Sequence, residues 1–326
     1  MALSQMQVFN DMIMPETLEA LDVMVDAFNE ASAGAIRLTN DGFTGDFLRE
    51  SFFDSLHGAQ RRVDRYGAND SVTPTALSEG LNTSVKVAGG FGPILMEPGQ
   101  MSWLDRPTAA GIDAASQFFA EALVKDQLHT AIASLVAAIE NQSDATLDIS
   151  GGTAPAGALT YIAMNRSHAL FGDKSGMLAA QVMNGAGYHR LVEENLKNDQ
   201  RLFAAGGVRV IEILGQRFVV TDAPALVESG TPDLIKTIGL VPGAATVFDG
   251  GDIVSNIDTT NGNERIETTM QVDYSFSVRL KGYTWDESNG GRSPTDADLG
   301  TGSNWDLEVS TIKNSAGVIL VADQAQ

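Results

Sequence analysis

The chain of 326 residues contains no cysteine, which removes disulfides, thiolate nucleophiles and zinc-thiolate sites together. Cations are scarce: 21 Lys and Arg stand against 42 Asp and Glu, for a net charge of -21. Specific nucleic-acid binding, which needs clustered Lys and Arg, is disfavoured on that ground. No apolar run approaches the eighteen or so residues of a bilayer span, and Met1 to Met14 lacks a basic flank followed by an apolar core. No membrane partner is expected, and assembly in a cytoplasm-like compartment follows. Sites of chemistry are missing as well. There is no GxSxG elbow, no GxxxxGK(S/T) loop and no GxGxxG fingerprint. His57, His129, His168 and His189 lie far apart and form no HxxxH or HExxH pair, so the sequence names no metal site, no cofactor and no catalytic residue.

What remains is 43% apolar residues, enough for a sizeable core and two or three domains. Residues 107–141 predict one long helix. Pro107 suits its first turn, and Ile112, Ala115, Phe119, Ala122, Leu128, Ile132, Leu135, Val136 and Ile139 recur at steps of three and four. At 1.5 Å per residue it spans roughly 50 Å. Before it, Leu81 to Ala88 and Phe91 to Glu97 flank Gly89-Gly90, a hairpin signal. Residues 66–106 then form an extended hairpin loop with little core of its own, which is stabilised by lying on a neighbouring copy of the chain. Leu81, Val85, Lys86, Val87, Phe91 and Ile94 are the expected intersubunit contacts, and deleting Ser78 to Gly99 should leave a soluble, folded body that no longer forms shells.

Met14-Pro15-Glu16 opens a first helix with Leu18, Leu21, Val25 and Phe28 on one stripe and Gly34 placed to end it. A shorter helix is expected from Asp46 to Leu56. Residues 1–65 read either as an arm reaching out or as a small helical subdomain packed on its own chain. The polar, Gly-rich stretch from Asn141 to Gly157 marks a boundary. After it, Leu159 to Met164 reads as a buried strand, Gly185-Ala186-Gly187 as a break between helices, and Tyr188 to Leu202 as a helix. Val208 to Leu214 with Arg217 to Val220 reads as a hairpin turning at Gly215-Gln216. Ile266, Thr268, Met270, Val272, Tyr274, Phe276, Val278 and Leu280 alternate with polar residues, which predicts a long strand wet on one face and equal in length to the helix. Strand and helix should pack side by side. Asp286 to Asp306 reads as loop, and Leu307 to Ala322 as a final pair of strands.

With these elements in order, the chain resembles the major capsid proteins of tailed bacteriophages with the Hong Kong 97 phage-type fold, an α+β class. Arg61-Arg62-Val63-Asp64, Val72-Thr73-Pro74 and Thr83-Ser84-Val85-Lys86-Val87 look like the family's entry into its extended loop. Residues 107–141 look like its spine helix, 264–285 like the long strand of its peripheral domain, and Gly206-Gly207-Val208-Arg209-Val210 through Pro224 like a hairpin of its axial domain. The resemblance implies an N-terminal arm (1–65), an extended hairpin loop (66–106), a spine helix (107–145), an axial domain (146–250), long peripheral strands (251–285), and a loop with C-terminal strands (286–326). It also implies an icosahedral shell of hexamers and pentamers around packaged double-stranded DNA, assembled in a bacterial host cytoplasm. A scaffolding protein, a portal and decoration or minor capsid proteins would be its partners. A nanocompartment shell of the encapsulin type and an acidic metal-dependent hydrolase are the rival readings.

Three side-chain groups bear on chemistry. Arg61, Arg62 and Arg65, interleaved with Asp64, are the expected weak, non-specific DNA contacts, or else an ion-paired surface. Asp258 to Glu264 packs oxygen ligands around Gly262, but the spacing fails the calcium-loop pattern and a polar turn explains it equally. Lys86 is the sole lysine before Lys125. Some members of the family join subunits by a lysine-asparagine isopeptide bond; a charge protecting an edge strand is the simpler account.

Overall fold

The computed structural model describes residues 25–26, 28–30, 32–39, 45–53, 61–67, 71–74, 79–96, 109–152, 156–197, 212–213, 216–261, 264 and 267–324. In chain order the elements are β1 (Ile36–Thr39), β2 (Phe47–Phe53), β3 (Glu79–Met96), α1 (Ala109–Glu140), β4 (Thr146–Asp148), α2 (Tyr161–His168), β5 (Ala180–Met183), α3 (Gly185–Lys197), β6 (Glu212–Ile213), β7 (Gln216–Val220), β8 (Val227–Glu228), β9 (Leu234–Leu240), β10 (Ala245–Asp249), β11 (Val254–Thr260), β12 (Glu267–Leu280), β13 (Tyr283–Trp285), β14 (Trp305–Leu307) and β15 (Gly317–Asp323). One sheet runs β1-β10-β12-β3-β2, with β11 also on β12; another runs β4-β15-β9-β5-β7-β6, with β8 on β9. A single apolar cluster joins both sheets to α1.

The helix is alanine-rich and proline-free, which suits its 32 residues. Along its first described half it is one-sided: Ala120 and Leu123 are buried while Phe118, Glu121 and Lys125 are exposed. From Ala131 to Ile139 nearly every residue is buried, because this end lies between the sheets. The backbone of Gly302 comes so close that a Cβ there would sit 2.6 Å from Ala137 O. Gln117–Glu140 is long and apolar enough by length and composition to cross a membrane, contrary to the sequence expectation. Its window is 61% buried within the chain, as the core helix of a folded domain would be. Past its end, Thr146 Oγ1 lies within 3.0 to 3.4 Å of the carbonyl oxygens of Ile139, Glu140 and Gln142 and can donate its one hydrogen to any of them.

β12 bears out the even-numbered face: Met270, Val272, Tyr274, Phe276, Val278 and Leu280 are all buried. The opposite face is exposed at Gln271 and Asp273 and partly open at Glu267, Thr269 and Arg279. Ser275 and Ser277 are buried, because β12 is central in its sheet and the loop at Gly250 folds over it. Ser277 Oγ donates to Val85 O at 3.0 Å. Helix and strand do pack together, through a 2.6 Å hydrogen bond from Tyr274 Oη to Asp126 Oδ2.

Several expectations change. No turn occurs at Gly89-Gly90; β3 runs straight through it, paired with β12. The glycines serve a close approach instead, since a Cβ on Gly89 would lie 2.8 Å from the Tyr274 ring and one on Gly90 2.8 Å from Asp273 Oδ1. The hairpin is made by β2 and β3, from Phe47↔Val85 to Phe53↔Glu79, with residues 54–78 between them. The expected helix from Asp46 to Leu56 is therefore the strand β2; a short aromatic run cannot be told from a helix by periodicity. β3 lies between β2 and β12, so the segment holds the body together, contrary to the expectation that it could be deleted.

Leu159 to Met164 is not a strand. Thr160 Oγ1 accepts from Ala163 N at 3.1 Å and caps α2, whose buried Ala163, Met164, Ser167 and His168 follow helical spacing. Gly185-Ala186-Gly187 opens α3, with Asn184 Oδ1 accepting from Gly187 N at 2.8 Å. β6 and β7 form the expected hairpin, with Ile213↔Gln216; residues 198–211, Leu214 and Gly215 lie outside the described residues. β14 and β15 join different strands: β14 pairs β13, and β15 pairs β9 and β4.

At the N-terminal end, residues 25–26 and 28–30 are helical and Gly34, at φ +67°, ends them as expected. Val25, Ala35, Ile36 and Leu38 are buried in the main core, and β1 lies parallel to β10. This stretch is packed on its own chain. Residues 1–24, and with them most of the first helix, lie outside the described residues, as do Pro107 and His57.

Candidate assembly surfaces

Two of the expected intersubunit residues face inward. Val85 and Val87 are 0% and 5% exposed and belong to the chain's own core. Phe91 is half-buried, its ring 5.3 Å from Tyr274 and 6.5 Å from Phe119. Leu81 and Ile94, by contrast, are exposed. Alternation does not divide the six in this way: Leu81, Val85 and Val87 share one face of β3, and Leu81 is exposed because it lies near the strand's start rather than because of its face. Sequence reasoning missed Leu95, Phe118 and Val254, also exposed; Leu95 adjoins Ile94 in an uncharged run that could have shown it.

Lys86 sits beside Asp46, whose carbonyl accepts from its N–H at 3.1 Å, so it does not guard an edge strand at its own position. Its Nζ pairs with Asp252 Oδ2 at 3.1 Å. Asp252 also accepts from Ser275 Oγ. The Ser275 hydrogen bond, followed by the Lys86 contacts, lowers the Asp252 carboxyl below its ordinary range despite partial burial. The Lys86 ammonium is thus paired with a carboxylate of the same chain.

Arg61, Arg62 and Arg65 lie together in residues 61–67, every one of them exposed, between β2 and β3. Asp64 Oδ1 accepts from Tyr66 N at 2.9 Å, and the Tyr66 and Val63 side chains stand in solvent. Residues 71–74 are exposed throughout as well. This connecting segment contributes no buried residue to the body among those described, while the hairpin at its root does. Asp258 and Glu264 flank the β11–β12 turn, whose strands close at Thr260↔Glu267; this favours the polar-turn account of that acidic stretch.

The end of α1 is clamped to the β4-β15-β9-β5-β7-β6 sheet. Lys236 Nζ donates to Glu140 Oε2 and to Glu228 Oε2, each at 2.8 Å, and the lysine is nearly buried. Burial alone would lower its pKa; the hydrogen bonds and charges of the two glutamates outweigh this and raise it. A cation here also offsets the negative end of the helix dipole, which carries no basic residue of its own. His129 and His168 are both lowered chiefly by burial, and His168 Nε2 lies 3.0 Å from Gln181 Oε1. The arrangement is that of a framework, with polar pairs that fix its parts.

Comparison with known proteins agrees in kind. The family described as Gp13-like, major capsid protein 13-like, matches residues 5–319. Among solved structures, the capsid asymmetric unit of cyanophage Pam1 is 11% identical, with 89% of this chain and 88% of that one covered at a TM-score of 0.54. A structure from Mycobacterium phage Cain is 12% identical, with 88% of each chain covered at a TM-score of 0.51. No curated protein matches the sequence.

Proposed function

We propose that this chain, which belongs to the major capsid protein 13-like family, builds an icosahedral shell of hexamers and pentamers around the double-stranded DNA of a tailed phage. It is a structural protein of the virion, α+β with the Hong Kong 97 phage-type fold, and it associates with itself to form a shell. The family match over residues 5–319 carries the reading. The geometry supports it: a long helix and two sheets form a rigid body, and the segment between β2 and β3 leaves every described residue between 61 and 74 uncovered. A neighbouring copy is the surface such a segment meets, with Leu81 as a contact at its root and Ile94 as one toward the far end of β3. Because the subunit is acidic, DNA enters through a motor at a portal rather than by condensing on the coat, and a scaffolding protein guides assembly in the host cytoplasm.

The test is expression of the chain with negative-stain microscopy, alone and beside the other head proteins. Particles tens of nanometres across are expected, and their nuclease-protected content should be DNA in virions; protein cargo would overturn the DNA part of the reading. Phe53 faces Glu79 across the hairpin, so residues 54–78 can be replaced by a short turn without disturbing the ladder. That variant should fold as a soluble subunit and form no shells. Normal shells from it would refute the role given to the loop.

A further inference from the structure

β3 is flanked on both sides only over its first part. β2 covers it from Glu79 to Val85, and Lys86 N–H still donates to Asp46 O. Beyond that point, among the described residues, β12 is its one strand neighbour. In an antiparallel strand the N–H and C=O of one residue point to the same side, and successive residues alternate. The main-chain groups of Ala88 and Gly90 therefore follow those of Lys86 and point away from β12. Both residues are exposed. Past a register irregularity opposite Gln271, the same edge continues to exposed Ile94 and Leu95.

An open edge of this kind is a template for another strand, and folded proteins blunt it with charge, proline, a bulge or a cover. From Val87 to Met96 there is no charged residue. The adjacent cation, Lys86, is paired with Asp252, and Pro93 lies beyond the donors of Ala88 and Gly90, which no strand among the described residues covers. Charge indicates what covers the edge. Copies of a chain with net charge -21 repel one another over most of their surfaces, and an uncharged strip is where a second copy approaches at least Coulomb cost. Main-chain hydrogen bonds ask for no complementary charge on the partner. Resting on the shell reading above, we propose that the edge from Ala88 to Leu95 is covered in the assembled particle by an extended segment of a second copy of this chain. That segment adds a strand to the β1-β10-β12-β3-β2 sheet through the main-chain groups of Ala88 and Gly90.

Hydrogen–deuterium exchange on the full-length chain, comparing assembled shells with dissociated subunits, reads this directly. The amides of Ala88 and Gly90 should exchange at least about tenfold more slowly in shells, as newly paired strand amides do. Equal exchange in shells and subunits would overturn the proposal while leaving the shell reading intact. Protection that appears only when a different head protein is present would also overturn it, by naming another occupant. Ala88→Pro removes one edge donor and leaves the bonds to β12 in place. It should abolish particles while the subunit melts where the parent does, and normal particles from it would refute the proposal. Should that variant fail to fold, the exchange comparison on the parent chain decides alone. A chain that forms no particles under any condition would fail the shell reading first, and this inference with it.

Discussion

Tyr274 Oη donates a 2.6 Å hydrogen bond to Asp126 Oδ2 and so ties β12, the central strand of the first sheet, to the long helix. Burial, with the Asp126 hydrogen bond and charge behind it, raises the Tyr274 phenol above its ordinary range. Tyr274→Phe leaves the carboxylate without that donor and should cost about 1.5–3 kcal/mol. Asp126→Asn keeps an acceptor and should cost less. Urea unfolding of dissociated subunits separates the two; a larger loss for Asp126→Asn would mean that the charge, not the bond, matters.

Tyr283 sets an alkaline limit. Burial pushes its phenol up from 10.0 to about 12, and a raised pKa means that the folded chain holds the proton more tightly than the unfolded one. The associated stability is complete below pH 10 and is lost as pH rises toward about 12, by roughly 2–3 kcal/mol. Melting curves taken between pH 9 and 12 should fall more steeply for the parent than for Tyr283→Phe. Parallel curves would exclude the buried phenol as the cause.

On β12, Phe276 is fully buried and Ser275 nearly so. Phe276→Ala should cost about 3–5 kcal/mol through the lost apolar contacts and the cavity left behind. Ser275→Ala removes the hydroxyl that donates to Asp252 and should cost about 1 kcal/mol, more than a solvent-facing serine would. Thermal shifts of equal size for the two would contradict the assigned faces.

Lys236 presents a different kind of bond. Lys236→Ala leaves Glu140 at the negative end of α1 without its cation, and the loss should be about 1.5–3 kcal/mol, moderated because both glutamates are partly open to water. Lys236→Met in the background of Glu140→Gln should recover part of it. A double-mutant cycle with no coupling between the two positions would show that the clamp contributes nothing measurable.

These interactions differ in how far the sequence exposes them. The buried face of β12 is written in strict alternation from Met270 to Leu280, and the long helix in its three-and-four spacing; both are local signals. Gly89-Gly90 misleads because a glycine pair marks a turn by local rules, whereas here Gly89 makes room for the Tyr274 ring across the sheet, 185 residues away. Phe47 to Phe53 could be strand or helix until β3 is placed beside it. The Arg61, Arg62 and Arg65 cluster is legible as an exposed charge run. The Lys236 clamp is not, because its partner Glu140 is 96 residues distant and nothing local marks either residue as paired.

The last prediction concerns DNA, which the shell proposed above would enclose without gripping. Uniform neutralisation of phosphates would require many free cations per subunit, and 21 Lys and Arg face 42 Asp and Glu. Several of those cations are already paired within the chain: Lys86 with Asp252, Lys236 with Glu140 and Glu228, Lys313 with Asp173, and Arg49 with Glu287. Arg61, Arg62 and Arg65 are exposed, and they could contribute only a weak, salt-sensitive and sequence-independent contact. Dissociated subunits mixed with duplex DNA at near-physiological salt should therefore show no complex at micromolar concentration. If a weak complex forms at low salt, exchanging the three arginines for serine should remove it. A retarded complex that persists at physiological salt and depends on DNA sequence would contradict the charge argument, and with it the view that packaging is driven from outside the coat.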